Sequence, residues 1–158
     1  MPADLELTHY LPYLLNRAGT RIAESFSVML RQHHGITLQM WRVLAALQHR
    51  DGQRVGELSE TTSIEVSTLS RLLNTMEGHG LVERRRPQRS GGDARIVTIC
   101  LTEEGRETTS RIIPVARDYE AVALSGFTES EIAELKRLLG RLYDNMAALD
   151  EGERKLAS

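Results

Sequence analysis

Between Val66 and Arg95 the chain concentrates side chains able to hydrogen-bond base edges and phosphates. Within residues 66–77, Leu69, Leu72, Leu73 and Met76 recur at i, i+3, i+4 and i+7, the spacing of one helical face. The opposite face carries Ser67, Arg71, Asn74 and Thr75, and Thr68 and Ser70 add two more hydroxyls to the segment. Arg can bind guanine through two donors, Asn can pair with adenine, and Ser or Thr can reach a base edge or a phosphate. The same pattern also describes an ordinary amphipathic surface helix with a polar outside.

The residues that follow tip the balance. Arg84, Arg85, Arg86, Arg89 and Arg95 fall within a dozen positions, opposed inside that window only by Asp93, so the segment carries a local charge of +4 on a chain of formal net charge -2. A merely solvated hairpin has no need of arginine in particular. Phosphates and narrow minor grooves do favour it, because the planar guanidinium binds bidentately and sheds water readily. Composition contributes as well, since arginine is far commoner than lysine throughout this chain. Ser90-Gly91-Gly92 makes a slender tip between the two arginine-bearing runs. Asp93 and Arg95, two apart, can share one side of the descending strand, either as a groove-contacting pair or as a surface ion pair worth under about 1 kcal/mol.

These residues need a frame. Val55–Thr62 and Val66–Glu77 read as two short helices, and 81–85 and 95–101 as two β-like runs around a polar loop. Helix, turn, helix and two-stranded wing is the plan of a winged helix-turn-helix. Upstream, Leu14, Leu15, Ala18, Ile22, Phe26, Met29 and Leu30 predict a helix from about Leu11, with Pro12 in its first turn, to about His33. Residues 1–9 read as an arm. Thr37 can cap a second helix over Leu38–His49, and Asp51-Gly52 signals a turn. Downstream, a long helix is expected from Thr102 to about Ser125, broken or bent at Pro114. Thr128-Glu-Ser-Glu131 is a capping-box pattern opening a last helix, with Ile132, Leu135, Leu138, Leu139, Leu142, Met146 and Leu149 on one side and frayed residues from 150 onward. That leucine stripe needs something to pack against. Periodicity alone allows either a monomeric bundle or a dimer.

In this order the pieces resemble the multiple antibiotic resistance regulator (MarR) family. The matching stretches are Thr37-Leu-Gln-Met-Trp41-Arg-Val-Leu44, Ser67-Thr-Leu-Ser-Arg71-Leu, Gly80-Leu-Val-Glu-Arg84, Asp93-Ala-Arg95 and Val97-Thr-Ile-Cys-Leu101-Thr-Glu-Glu-Gly105-Arg106. The resemblance covers about residues 10–148. One departure is Glu65, where the family usually places Asp or Ser as helix N-cap, better caps than Glu. The resemblance implies a mainly α protein with a small β wing (α+β): one domain over 1–158, with dimerisation helices at 11–34 and 102–149 and a winged helix-turn-helix lobe at 37–101. It implies a homodimer on a palindromic operator in double-stranded DNA, a repressor of nearby genes released by a small effector. Arg95 would meet DNA backbone or minor groove, with Asp93 positioning arginine side chains. Effectors in the family often bind where dimerisation helices meet the DNA-binding lobe. Here those walls would include Tyr10, Tyr13, Arg17, Met29, Met40, Trp41 and Arg42, which suit an aromatic acid or a related phenolic or acyl compound. Met29 and Trp41 also lie on core stripes and can simply fill space.

Other function classes find little support. At 158 residues, with 41% hydrophobic and 27% charged residues, the chain is an ordinary globular protein. No apolar run is long enough to span a bilayer, the N-terminus lacks a signal-peptide pattern, and one cysteine cannot form an internal disulfide; a cytoplasmic location without membrane contact is expected. Cys100, in an apolar strand, reads as a buried structural thiol. His33 and His34 are adjacent and point about 100° apart on a helix, and His9, His49 and His79 are scattered, so neither metal nor cofactor is expected. Catalytic and phosphate-loop motifs are missing, and no enzymatic activity is expected. The rival from another class is a winged-helix protein–protein module that does not bind DNA; such a module needs no arginine cluster at the wing.

Overall fold

The computed structural model describes residues 5–86 and 97–156. Its chain divides into two compact units, one up to Tyr119 and one from Glu120. After a 3-10 turn at Leu7–His9 come α1 (Leu11–His34), α2 (Leu38–His49), α3 (Val55–Thr62), α4 (Val66–Gly78), β1 (Val82–Arg85), β2 (Thr98–Leu101), α5 (Glu103–Ala123) and α6 (Glu129–Leu156). The result is mainly helical with a small antiparallel wing, as expected.

In the first unit the apolar stripes of α1 to α5 close over one core. Leu30, Val43, Leu44, Leu47, Leu58, Leu69, Leu73, Met76, Ile99, Leu101 and Ile112 are buried there. Leu72 packs partly buried against the same cluster, so the phase expected for α4 holds. Thr37 caps α2 by accepting from the Met40 N–H at 3.2 Å. α4 stops because Gly80 adopts φ +70°, while the Leu81 N–H turns back to the Met76 carbonyl at 2.9 Å.

β1 and β2 pair with Val82 opposite Leu101 and Arg84 opposite Ile99. Gln53 adds an isolated bridge to Ile99 on the far side of β2, and its buried side chain donates to the carbonyls of Ala46 (3.0 Å) and Arg50 (2.6 Å). Asp51, expected only to mark a turn, ties three elements together. Its Oδ1 accepts from the Leu101 N–H (2.9 Å) and the Gly52 N–H (3.1 Å), and its Oδ2 accepts from Arg106 (2.6 Å). Partial burial raises its pKa, but hydrogen bonds from Leu101, Arg106 and Gly52 outweigh that and hold the carboxylate below its ordinary value. Gly105 sits against the wing so closely that a Cβ there would lie 2.0 Å from the Leu81 carbonyl oxygen.

Three expectations need correction. Of the break or bend expected at Pro114, the break does not occur: α5 runs through it as one helix. Proline removes one N–H, but Pro114 and Ser110, whose carbonyl loses its partner, are both exposed, and Ile112 and Ala116 anchor the helix on either side. The last helix does not end near 149; its backbone continues to Leu156. Glu65 also caps α4 competently, as described below.

In the second unit, α6 opens with the expected capping box. Thr128 Oγ1 accepts from the Glu131 N–H (3.3 Å), and Glu131 accepts from the Thr128 N–H (2.8 Å). Lys136 pairs with Glu120 at 3.0 Å. Of the α6 leucine stripe, Ile132 and Leu142 are half-buried, while Leu135, Leu138, Leu139, Met146 and Leu149 stay exposed.

Candidate nucleic-acid interface

α4 presents the face the sequence pattern led us to expect. Ser67, Thr68, Arg71, Asn74 and Thr75 are exposed and Ser70 is half-buried. Its start is fixed by Glu65, whose Oε1 accepts from the Ser67 N–H (2.9 Å) and whose Oε2 accepts from the Thr68 N–H (3.1 Å). The Ser67 hydroxyl also bonds to this carboxylate. That hydroxyl bond, together with the two backbone bonds, pulls the Glu65 pKa down to about 2 from an ordinary 4.5. Glu is a weaker cap type than Asp or Ser, yet here both of its oxygens engage free N–H groups of the first turn.

Several polar groups on this face are already engaged. The Ser70 hydroxyl donates to the Val66 carbonyl (2.8 Å) and the Thr75 hydroxyl to the Arg71 carbonyl (3.3 Å). The Arg84 Nη2 donates to the Asn74 Oδ1 at 2.7 Å, and its Nη1 pairs with Glu77. Arg85 pairs with Glu83. The +4 counted over residues 84–95 therefore leaves out two nearby carboxylates, Glu77 and Glu83, that neutralise two of those arginines. Arg71 and Arg86 are exposed, and neither makes an ion pair among the described residues. Arg89, Asp93 and Arg95 lie outside the described residues.

Strand alternation explains the sorting. Residues 82 and 84 share one face of β1, and residues 83 and 85 share the other. Val82 is buried and Arg84 reaches α4, whereas Arg85 meets Glu83 on the opposite side. Glu77 was missed in the sequence because its partner lies seven positions away, across a helix stop and a turn.

The candidate ligand-binding residues separate into groups. Met40 is buried in the core; Trp41 is half-buried and packs edge-on to Phe26 at 6.0 Å, and Phe26 meets Tyr119 at 5.3 Å. Met29 packs partly buried against the same core, Tyr13 is half-buried, and Tyr10, Arg17 and Arg42 are exposed. Arg17 and Met29 are twelve residues apart on α1, about 18 Å at a helical rise of 1.5 Å per residue. A cavity of about 420 Å³ in the first unit is lined instead by His33, His34, Ile36, His79, Leu81, Glu104, Thr108 and Arg111, among others. His34 is held below its ordinary pKa there by burial, with the charges of His33 and Arg111 adding to the effect. A second cavity, of about 390 Å³, is lined by Gln53, Glu57 and Glu60 among others. Among the described residues no three His, Cys, Asp or Glu side chains are grouped to hold a metal ion. Cys100 is buried.

The comparisons with known proteins agree with this geometry. A model of the MarR family matches residues 34–96. The transcriptional regulator MgrA of Staphylococcus aureus is 30% identical over 149 residues, covering 94% of this chain and 96% of its own length. The chain belongs to the MarR family. It is thus a DNA-binding transcriptional regulator of winged-helix type. Among solved structures, a MarR family regulator from Silicibacter pomeroyi is 29% identical, with a TM-score of 0.78 over 90% of this chain and 96% of that one. A MarR family protein from Mycobacterium tuberculosis, solved in complex with salicylic acid, is 29% identical, with a TM-score of 0.66 over 90% and 99% of the two chains. No helix among the described residues of this MarR family chain is long and apolar enough to cross a membrane.

Proposed function

We propose that this MarR family protein is a homodimeric repressor that binds a palindromic operator and is released from it by a small aromatic or acyl carboxylate. The observation that carries the DNA reading is the exposed polar face of α4, backed by an apolar stripe packed on the core. That is the form a helix needs to enter a major groove while the core holds it rigid. Dimerisation is supported by the exposed apolar residues of α1 and α6, among them Leu11, Leu14, Ile22, Leu139 and Met146. Two such helices related by a two-fold axis address half-sites about 34 Å apart.

The ligand reading draws on the salicylic acid bound by the M. tuberculosis relative. The distance along α1 adds a condition. Tyr10, Tyr13 and Arg17 join Met29 and Trp41 in one pocket only if a second copy of the chain supplies one of the two groups. Ligand and dimer are then linked, and a coupling of about 1–3 kcal/mol lowers operator affinity about 5–150-fold.

The test is electrophoretic and fluorescence titration of the full-length protein against DNA from upstream of its own gene. Arg71→Ala is expected to cost about 1–3 kcal/mol on the preferred site only. Salicylate and related aromatic acids are expected to release the DNA from wild type and to act far more weakly on Arg17→Ala. Unchanged operator affinity with every acid, or an Arg17→Ala response equal to wild type, refutes the ligand reading. Failure to bind any duplex refutes the DNA reading.

A further inference from the structure

We infer that Glu77 and Arg84 are positioning residues for base reading: Glu77 holds Arg84, and Arg84 fixes the Asn74 carboxamide on the recognition face instead of contacting a phosphate. The inference rests on the DNA-binding reading above and assigns roles within it.

Three observations meet here. β-alternation turns Arg84 toward α4, on the Val82 side of the strand and opposite Ile99. Asn74 and Glu77 are three apart on α4 and so lie close together on its surface. Each terminal nitrogen of Arg84 then engages one partner, Nη1 the Glu77 carboxylate and Nη2 the Asn74 Oδ1 at 2.7 Å. The Arg84 side chain is only 34% exposed. An arginine that swung away toward a phosphate would give up both partners, leaving the Glu77 carboxylate unpaired beside a polyanion.

The chemistry of the contact assigns its purpose. A carboxamide is nearly symmetric in shape, and rotation about its last bond exchanges a donor end for an acceptor end. Arginine only donates. By donating to Asn74 it specifies which end is oxygen, and it uses one of that oxygen's two lone pairs. One lone pair and both N–H donors remain, and these are what the N6 and N7 edge of adenine requires. Glu77 completes the device, because a planar guanidinium held through Nη1 by a carboxylate has few ways to turn its Nη2 away from Asn74. It also cancels the charge that would draw Arg84 toward the backbone.

The experiment selects a preferred duplex from a random-sequence pool with the full-length wild-type protein. All four base pairs are then measured at every position, together with the salt dependence of binding, for wild type and variants. Asn74→Ala marks the position that Asn74 reads. Arg84→Met and Glu77→Gln are expected to lose preference at that same position by about tenfold and to leave the other positions unchanged. Arg84→Met is expected to keep the wild-type salt slope, whereas loss of a phosphate contact lowers the slope by about one unit. Arg84→Lys keeps the charge and serves as the second variant should Arg84→Met fail to fold; it is expected to lose the same preference, since one ammonium cannot reproduce the planar fork. A fall of one unit in salt slope with an unchanged base profile overturns the inference, as does a Glu77→Gln profile identical to wild type. If wild type selects no duplex, the DNA reading falls and this inference falls with it.

Discussion

α4 and α6 carry the same kind of apolar stripe and end in opposite situations. In α4, Leu69, Leu73 and Met76 are buried almost completely by other elements of the first unit. In α6, Leu135, Leu138, Leu139 and Leu149 are 37–53% exposed. Both helices are amphipathic with a polar side, so periodicity does not distinguish them. The difference is that α4 finds its partners within the first unit, whereas most of the α6 stripe stays exposed, as do Val122 and Phe127 of the same unit. The homodimer proposed above would use both arrangements, one helix held rigid and another offered to a second copy.

The sharpest way to test the contrast is to cut the same side chain on each helix. Leu73→Ala is expected to destabilise the fold by about 2–5 kcal/mol, because it empties a closed core. Leu139→Ala is expected to change the stability of the isolated chain far less and to act on association instead. Urea unfolding at several protein concentrations separates the two, since only the second effect depends on concentration. If both variants lose stability equally and independently of concentration, the contrast fails.

A smaller loss is expected where the wing meets α5. Gly105→Ala places a methyl 2.0 Å from the Leu81 carbonyl oxygen, and backbone must shift to admit it. The expected cost is about 1–3 kcal/mol, in the range of other overpacked sites. Gly140→Ala on α6 provides the control, because a Cβ there meets nothing within 4 Å. Thermal melts of the pair should therefore differ, with Gly105→Ala melting lower and Gly140→Ala neutral or slightly stabilised.

The smallest expected effect lies at the helix starts. The Glu65 carboxylate has its pKa lowered to about 2, from an ordinary 4.5. Its contribution to α4 is therefore fully present above about pH 4.5 and is lost as pH falls toward 2. Glu131 at the start of α6 is lowered in the same direction, chiefly by its bond from the Thr128 N–H. Carboxylate titrations followed by NMR should show Glu65 as the lower of the two. Glu65→Gln is expected to remove the acid-range change in α4 and leave the start of α6 untouched.

Much of this was legible in the chain itself. The bounds of α2 and α3, the buried phase of α4, the cap at Thr37 and the capping box at Thr128 all follow from spacing and local hydrogen bonding. These features depend on neighbours within about four residues, where helix geometry fixes which side chains meet. The outer face of α4 by itself reads equally as an ordinary surface helix, and only the arginines of the following segment turn the reading toward nucleic acid.

Tertiary structure decided the rest, because the interactions concerned join residues far apart in the chain. Asp51 was readable as a turn residue, but its bonds to Leu101 and Arg106 cross 50 and 55 positions. Gln53 gave no sign that it would be buried against Ile99. The arginines of the wing looked equivalent in sequence, and only the pairing of β1 with β2 and the packing of β1 on α4 gave Arg84 to Asn74 and Glu77 and Arg85 to Glu83. The separation of Arg17 from Met29 follows from α1 being one continuous helix. Sequence period determined which faces are apolar and which are polar; what covers each face depended on how the folded elements approach one another.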